Sequence, residues 1–216
     1  MLSREQARLY YDRFGAKQDS QWYYEDPATD DLIEHAGFAG AQSVFEFGCG
    51  TGRFAETLLR QHLSASATYL GIDVSSTMVR LASSRITRFG SRAEARITDG
   101  TMPIHAPNDA YDRFVANYVL DLLAVPDIHA LTTEARRLLR PGGFLCLVSL
   151  SHGSTLSSKI VAGLLALVHR LRPSLVGGCR PIELRDYLPE RVWQVRYQNE
   201  VAPFGIPSEV VVAVKR

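Results

Sequence analysis

A glycine-rich turn between a strand and a helix is the feature that most constrains this sequence. Residues 44–54 read VFEFGCGTGRF, with glycine at positions Gly48, Gly50 and Gly52 and the acidic Glu46 just before them. Glycine adopts backbone conformations that other residues avoid, and it lets a ligand approach the main chain closely. A glycine pattern alone is a weak signal, because a tight turn without a ligand also needs glycine. Its place between a strand and a helix favours a nucleotide-binding turn.

Strand-like and helix-like segments alternate on both sides of this turn. The predicted strands are 43–47, 68–73, 94–97, 112–119 and 144–150, and the predicted helices between them are 53–62, 76–86 and 127–140. Repeated strand–helix units form parallel sheets with helices on both faces. Residues 191–201 and 209–215 flank a turn with proline and glycine, which predicts a hairpin. The sequence therefore predicts an α/β fold: a doubly wound, mostly parallel seven-stranded sheet with a C-terminal antiparallel hairpin.

The N-terminal region is predicted to be helical. Ser3 and Gln6 have the spacing of a capping box, which predicts a helix through about Phe14. Pro27 is a favourable first helical residue, so a second helix is predicted from Pro27 to about His35. The segment PGG at 141–143 is expected to end the helix that precedes the fifth strand.

Composition and charge exclude several classes of protein. The formal net charge is +1, so no global field favours a nucleic-acid partner. The three cysteines lack CxxC spacing, which disfavours a disulfide framework and indicates a reducing, cytoplasmic location. The longest nearly uncharged run, 160–169, is too short to span a bilayer, and the first residues lack the apolar core of a signal peptide. The histidines show no ligand spacing, so no metal is predicted.

A second acidic residue indicates which nucleotide the turn binds. Asp73 ends the second predicted strand, about 20 residues beyond the glycines, where a carboxylate can accept the ribose hydroxyls of an adenosine. Asp73 also precedes Ser75, a good N-cap, so a role at the helix N-terminus is compatible. Dinucleotide sites use GxGxxG, whereas this turn has GxGxG. Glu46 would repel a diphosphate but suits a positively charged amino group. These residues favour S-adenosylmethionine over NAD.

With these motifs, residues 43–150 resemble a class I S-adenosylmethionine-dependent methyltransferase. VFEFGCGTGRFAETLL resembles the first motif of that family, and YLGIDVSSTMVRLA, RITDGTMPI and YDRFVANYVLDLL resemble the next three. RRLLRPGGFLCLVSL resembles the segment that leads through the fifth strand. The resemblance implies S-adenosylmethionine as cofactor and transfer of its methyl group by in-line displacement.

The resemblance also implies a set of cofactor-binding residues. They are Glu46, Gly48, Cys49 and Gly50 at the methionine moiety, Asp73 and Val74 at the ribose, Asp99, Gly100 and Thr101 near adenine, Asn117 near the methionine carboxylate and the sulfonium, and Met78. Met78 packs either near the adenine or in the core of its helix. Cys49 is expected to contribute its backbone rather than its thiol.

The methyl acceptor is expected to be a small molecule. The sequence has neither the NPPY or DPPY motif of nucleic-acid aminomethylating enzymes nor the PCQ motif of cytosine methylation. Residues 8–27 are rich in aromatics and form either a lid over the cofactor or ordinary helix packing. Residues 151–182 contain basic residues and no acidic one. Their apolar helix predicts a buried cover or, alternatively, a pocket for an apolar acceptor, lipid-like or carrying an acidic group.

A catalytic base is needed only if the acceptor is not already nucleophilic. His152 is the predicted base, because it follows the fifth strand at the carboxyl edge of the sheet and histidine titrates near neutral pH. The alternative for His152 is an ordinary polar loop residue. Asp121, Tyr118 and His105 are weaker candidates.

One methyltransferase domain is predicted over residues 1–216. Its parts are an N-terminal helical lid (1–40), a cofactor-binding core (43–150), an acceptor-side helical cover (151–188) and a C-terminal hairpin (189–216). Two other functions stay open. A nicotinamide-dependent oxidoreductase would need GxGxxG and a YxxxK pair, which the sequence lacks. A non-catalytic S-adenosylmethionine-binding domain is disfavoured because the cofactor residues are present.

Overall fold

The computed structural model describes residues 2–216, whose central feature is one seven-stranded sheet. The strands are β1 (Ser43–Phe47), β2 (Thr68–Asp73), β3 (Ala93–Ile97), β4 (Tyr111–Asn117), β5 (Leu139–Leu150), β6 (Trp193–Val201) and β7 (Ser208–Lys215). Their order across the sheet is β3-β2-β1-β4-β5-β7-β6. The first five strands are parallel to one another, and β7 lies antiparallel between β5 and β6. The predicted fold class is confirmed.

Six α-helices accompany the sheet in the described residues. They are α1 (Arg4–Phe14), α2 (Trp22–His35), α3 (Arg53–Thr57), α4 (Ser76–Ile86), α5 (Val125–Leu138) and α6 (Leu156–Leu171). The capping box of Ser3 and Gln6 is formed, since each side chain accepts a hydrogen bond from the backbone of the other. After α3 the chain makes a wider π-helical turn, Leu58–His62.

Two apolar cores lie on opposite faces of the sheet, because successive residues of a strand point to opposite sides. On one face, Phe45 and Phe114 pack with Ile128 and Leu131 of α5. On the other, strand residues such as Val115 pack with the helices that precede and follow β1, and Leu32 of α2 is fully buried there. The helices therefore cover both faces, as doubly wound sheets require.

The strand order reverses between β1 and β4, which places the ends of these two strands at the switch point of the sheet. The two strands are paired in parallel, with Glu46 beside Val115. Their carboxyl ends, Phe47 and Asn117, open at the same edge. Ligands of doubly wound sheets bind in the crevice at this position.

Two predicted helix boundaries are wrong. Helix α2 begins at Trp22, and Pro27 lies inside it. The helix starts early because the preceding residues, Gly15–Gln21, already form tight helical turns that continue into it. Helix α5 ends at Leu138, before the PGG segment, because Leu139 is already extended and pairs with Tyr111 as the first residue of β5.

The apolar helix α6 is not the buried cover that its composition predicts. Only Ser158 and Ala162 are buried, and five aliphatic side chains are 52–78% exposed. They are Leu156, Ile160, Leu164, Leu167 and Leu171. The side of the helix with Ser158 and Ala162 faces the protein, Val161, Leu165 and Val168 are half-buried, and these five large apolar side chains face solvent. Among the described residues, no helix is both long and apolar enough to cross a membrane.

Arg113 on β4 anchors the end of α2 to the sheet. Its guanidinium donates to the carbonyls of Ala36 and Gly37, both at 2.7 Å, and lies 4.3 Å from the ring centroid of Phe144. The side chain is 9% exposed. A buried guanidinium is tolerated only when its N–H donors are paired, and these contacts pair the donors of Arg113.

We expect Arg113→Ala to lower the free energy of unfolding by about 3 kcal/mol, because it leaves the buried Ala36 carbonyl without this donor, removes one of two donors to the Gly37 carbonyl and removes the packing on Phe144. Urea unfolding followed by circular dichroism measures the change. Arg140→Ala, at an arginine that is half-exposed on the neighbouring strand, is the control and should change stability little. Equal stabilities for the two variants would contradict this role of Arg113.

Candidate cofactor and methyl-transfer site

The glycine turn after β1 requires its three glycines for different reasons. Gly48, Gly50 and Gly52 all have positive φ, at 78°, 51° and 77°. A Cβ atom on Gly48 would lie 2.4 Å from Cγ2 of Val119, and one on Gly52 would lie 2.7 Å from Cα of Ala82. Those two glycines let the turn pack against its neighbours. The position of Gly50 differs, because its Cβ would point toward the side chain of Gln18, between two cavities.

Asp73 connects this turn to the next helix. One carboxylate oxygen accepts a hydrogen bond from the backbone N–H of Gly50 at 3.0 Å, and the other accepts from the N–H of Ser75 at 2.8 Å. Burial raises the pKa of Asp73, while these backbone donors act in the opposite direction. Ser75 caps α4 as predicted, since its hydroxyl accepts from the N–H of Met78. Both roles considered for Asp73, at a ligand and at a helix N-terminus, are therefore sterically compatible.

Glu46 is buried beneath the glycine turn. Its carboxylate is 2% exposed and accepts a hydrogen bond from the hydroxyl of Tyr69 at 2.5 Å. Burial raises its pKa to about 8, against the opposing effect of the Tyr69 hydroxyl. The carboxyl therefore lies ready to be ionised by a cation that enters the adjoining cavity.

Two cavities meet at the carboxyl ends of β1 and β4. The larger, of about 350 Å³, extends over Asp73, Val74 and Gly100, and the smaller, of about 210 Å³, extends over Glu46 and Cys49. Residues common to both walls are Gln18, Gly48, Gly50, Asn117 and Tyr118. The pair forms one elongated site with Gln18 between its halves.

Unpaired polar atoms point into this site. Both amide atoms of Asn117, and the side-chain oxygen of Gln18, are buried without a hydrogen-bond partner among the described residues. Buried polar groups in folded proteins are nearly always paired, so these atoms indicate a polar ligand that the site is built to receive. Together with Glu46 for an amino group and Asp73 for hydroxyls, they fit S-adenosylmethionine.

The N-terminal region forms one wall of the smaller cavity, and this wall is acidic. Arg53 donates to Glu25 at 2.9 Å and to Asp26, which ties the glycine turn to α2. Burial raises the pKa of Glu25 to about 7, against the pairing with Arg53. Asp30 lies in the same wall. Carboxyls therefore outnumber cations on this side of the site.

The remaining predicted residues lie in different places. Met78 is fully buried and lines neither cavity. Asp99 accepts hydrogen bonds from the backbone and hydroxyl of Thr101, at 2.8 and 2.7 Å, and these two exposed residues also lie outside both walls. His152 is exposed just after β5 and lines neither cavity. No group of three or more His, Cys, Asp or Glu in residues 2–216 is arranged to bind a metal.

The N-terminal region supplies wall residues that the motifs do not predict. Tyr11 belongs to the aromatic segment noted in the sequence, and it lines the larger cavity. Trp22 and Tyr23 of that segment are exposed instead. Gln18 carries no sequence signal, because a single glutamine in a polar stretch is typical of a surface turn.

The buried carboxyl of Glu46 makes stability depend on pH. Its pKa is near 4.5 when exposed and about 8 in the folded protein, so the folded state keeps a proton that the unfolded state releases. Its contribution is therefore complete below about pH 4.5 and is lost as the pH rises through about 8. Glu46→Gln, which mimics the protonated form, should gain stability relative to the wild type between pH 5 and pH 8. Urea unfolding at both pH values tests this, and parallel profiles would contradict it.

Comparison with known proteins matches the central part of the chain, somewhat less than half of its length, to a family. Residues 44–143 match the family described as methyltransferase domain. A demethylmenaquinone methyltransferase of Tropheryma whipplei is 32% identical over 116 residues, 54% of this chain and 45% of that protein. A malonyl-[acyl-carrier protein] O-methyltransferase of Paenibacillus sp. is 35% identical over 114 residues, 50% of this chain and 39% of that protein. The chain thus spans less than half the length of these relatives.

Solved structures share the fold at low identity. The N-methyltransferase NodS of Bradyrhizobium japonicum, in complex with S-adenosylhomocysteine, has a TM-score of 0.66 and 18% identity and covers 89% of this chain and 87% of its own. An S-adenosylmethionine-dependent methyltransferase of Aquifex aeolicus has a TM-score of 0.63 and 16% identity over the whole of both chains. The family match confirms the resemblance and the cofactor inferred from the sequence. Residues 44–143, the part of the chain that the family match covers, form a class I S-adenosylmethionine-dependent methyltransferase domain.

Proposed function

We propose that the protein transfers the methyl group of S-adenosylmethionine to a small apolar or aromatic acceptor. The observation that carries this proposal is the unpaired, buried amide of Asn117, which both cavities share at the carboxyl end of β4. A site that only bound a nucleoside would need the larger cavity alone. Here the polar group lies at the junction, where the methionine end of the cofactor would pass from one cavity to the other.

Each wall residue has a binding role in this proposal. Asp73 keeps free lone pairs for ribose hydroxyls while it holds the turn. The ammonium group of the methionine moiety favours the ionised form of Glu46. The Asn117 amide donates to the methionine carboxylate. Gly50 lets the cofactor lie against the main chain.

The bound cofactor supplies a methyl group that is already activated on a sulfonium. The protein therefore contributes orientation, which can lower the barrier by about 7–11 kcal/mol when the reacting atoms are aligned. Walls that exclude water strengthen the electrostatic contacts within the site. In-line displacement requires the acceptor to approach from the side of the methyl group, beyond Asn117 and Tyr118.

In this proposal the acceptor shares the larger cavity with the adenosine end of the cofactor, and the aliphatic part of the cavity lining supports an apolar acceptor. Aliphatic side chains from the N-terminal region and from the segment after β4 contribute to its wall, among them Leu2, Ala7, Val119, Leu122 and Leu123. The carboxyls Glu25, Asp26 and Asp30 oppose an acidic acceptor in the smaller cavity. The names of two relatives, demethylmenaquinone methyltransferase and ubiquinone biosynthesis O-methyltransferase, also support a lipid-like quinol as the acceptor class.

Asp121 fits the role of proton acceptor better than the exposed His152. It lies in the short turn after β4 and is fully buried; like His152 it lines neither cavity, but its neighbour Leu122 does. The thiol of Cys179 and the backbone N–H groups of Asp121 and Leu150 lie near its carboxylate, and neither oxygen accepts a well-formed hydrogen bond among residues 2–216. Burial raises its pKa to about 7, so near neutral pH it can take a proton from an acceptor hydroxyl.

Filling the space above the glycine turn should weaken cofactor binding. We expect Gly50→Val to weaken binding of S-adenosylmethionine by at least about tenfold, because the side chain would occupy the junction of the cavities. Gly142→Val is the matched control, since Gly142 has a similar positive φ of 75° but no atom near its Cβ position. Calorimetric titration measures both affinities. Normal binding by Gly50→Val would overturn the assignment of the cofactor site.

Removing the charge of Asp121 should separate chemistry from binding. With a catechol that the wild type methylates, Asp121→Asn should lower kcat by about 100-fold and leave cofactor affinity unchanged. Wild-type kcat should fall as the pH drops below about 7, where Asp121 becomes protonated, and Asp121→Asn should lack this decline. His152→Ala should keep kcat within about twofold of the wild type, as expected for an exposed loop residue. A large loss of kcat in His152→Ala, with kcat of Asp121→Asn close to that of the wild type, would instead identify His152 as the base.

A further inference from the structure

The outward face of α6 is a continuous apolar stripe. At about 100° per residue, Leu156, Ile160, Leu164, Leu167 and Leu171 fall within an arc of about 80° on one side of the helix. All five side chains are more than half exposed, and Leu175 just beyond the helix is 67% exposed. Single exposed apolar residues are common on the surfaces of soluble proteins, whereas contiguous apolar patches mark interaction sites.

Basic residues border this stripe, and residues 151–182 contain no acidic one, although Glu200 accepts hydrogen bonds from Ser154 before the helix. Lys159 and Arg170 lie along one edge of the exposed arc, Arg172 follows the last helical residue, and all three are exposed. Residues 151–182 contain four basic residues, including Arg180, and no aspartate or glutamate. An apolar face bordered by cationic side chains is the pattern of a helix that lies in the headgroup region of an anionic membrane.

Aromatic side chains stand beside the same helix. Phe204 lies in the turn Pro203–Gly205, which packs against α6, and it is 80% exposed. Its ring centroid is 5.7 Å from that of Tyr23, and the neighbouring Trp22 is 59% exposed. Tyrosine and tryptophan are favoured at membrane interfaces, where one side of the ring meets lipid and the other meets water.

The charges also argue against a second copy of this chain as the occupant. A two-fold dimer through α6 would place the same residues of both copies face to face. Lys159, Arg170 and Arg172 would then approach their own copies, with no acidic residue of 151–182 to compensate. Like charges across an interface oppose association.

We propose that α6 docks the protein onto an anionic phospholipid surface through its apolar stripe. The helix has 16 residues, a length of about 24 Å, so it lies along the interface rather than across it. The segment after α6 packs on α1 and on the turn after β4, since Tyr10 lies beside Gly177 and Arg180 donates to Asp121 and Leu123. The proposal does not depend on the identity of the acceptor.

Vesicle co-sedimentation of the full chain tests the proposal without any activity measurement. Wild type should bind vesicles of phosphatidylcholine with phosphatidylserine, and bind phosphatidylcholine alone more weakly. Leu164→Glu/Leu167→Glu should reduce binding to the mixed vesicles by at least about tenfold. Lys159→Gln/Arg170→Gln should remove the preference for anionic vesicles and its sensitivity to salt.

The control variant is Ile97→Glu, at an exposed isoleucine that ends β3, and it should bind like the wild type. Circular dichroism and thermal unfolding show that each variant folds. Absence of wild-type binding to anionic vesicles would overturn the proposal, as would binding that Leu164→Glu/Leu167→Glu leaves unchanged. A wild-type dimer in light scattering that the same double variant converts to monomer would assign the stripe to self-association instead, and would equally overturn it.

Discussion

The hydrogen bonds of Asp73 hold the site together. Its two carboxylate oxygens accept from the backbone of Gly50 and of Ser75, so one side chain fixes both the glycine turn after β1 and the start of α4 after β2. The turn must pass close to its neighbours to reach this carboxylate, which explains glycine at positions 48 and 52. The shape of both cavities depends on this arrangement, because Gly48 and Gly50 line both of them.

Around these cavities the protein keeps carboxyls away from water. Burial raises the pKa of Glu46 to about 8 and the pKa of Glu25 to about 7. Such groups destabilise the empty protein at neutral pH if they are ionised, and they are stabilised by a cation that enters the site. A sulfonium cofactor with an ammonium group brings two positive charges. Cofactor binding and proton release are therefore coupled in this account, and part of the binding free energy offsets the burial of negative charge.

The sequence predicts the sheet and the cofactor motifs well, because those depend on local patterns. Strand alternation gives the order of elements, and the spacing of Glu46, the glycines and Asp73 gives the ligand class. Other features depend on distant contacts. Gln18 reaches the site only because the N-terminal region folds over α4, and helix α2 begins before Pro27 because the preceding turns are already helical. The sequence of α6 correctly predicts a helix. It does not predict which side of the helix packs on the protein, and in the structure that is the side with the small residues Ser158 and Ala162.

We infer that the glycine turn, Asp73 and Asn117 together hold S-adenosylmethionine. A crystal structure with S-adenosylhomocysteine, the demethylated product, tests this inference most directly. We expect ribose hydroxyls within hydrogen-bonding distance of Asp73, the amino acid end at Asn117, and a ligand that extends through both cavities. A nucleoside bound elsewhere, or one that leaves the Asn117 amide unpaired, would contradict it.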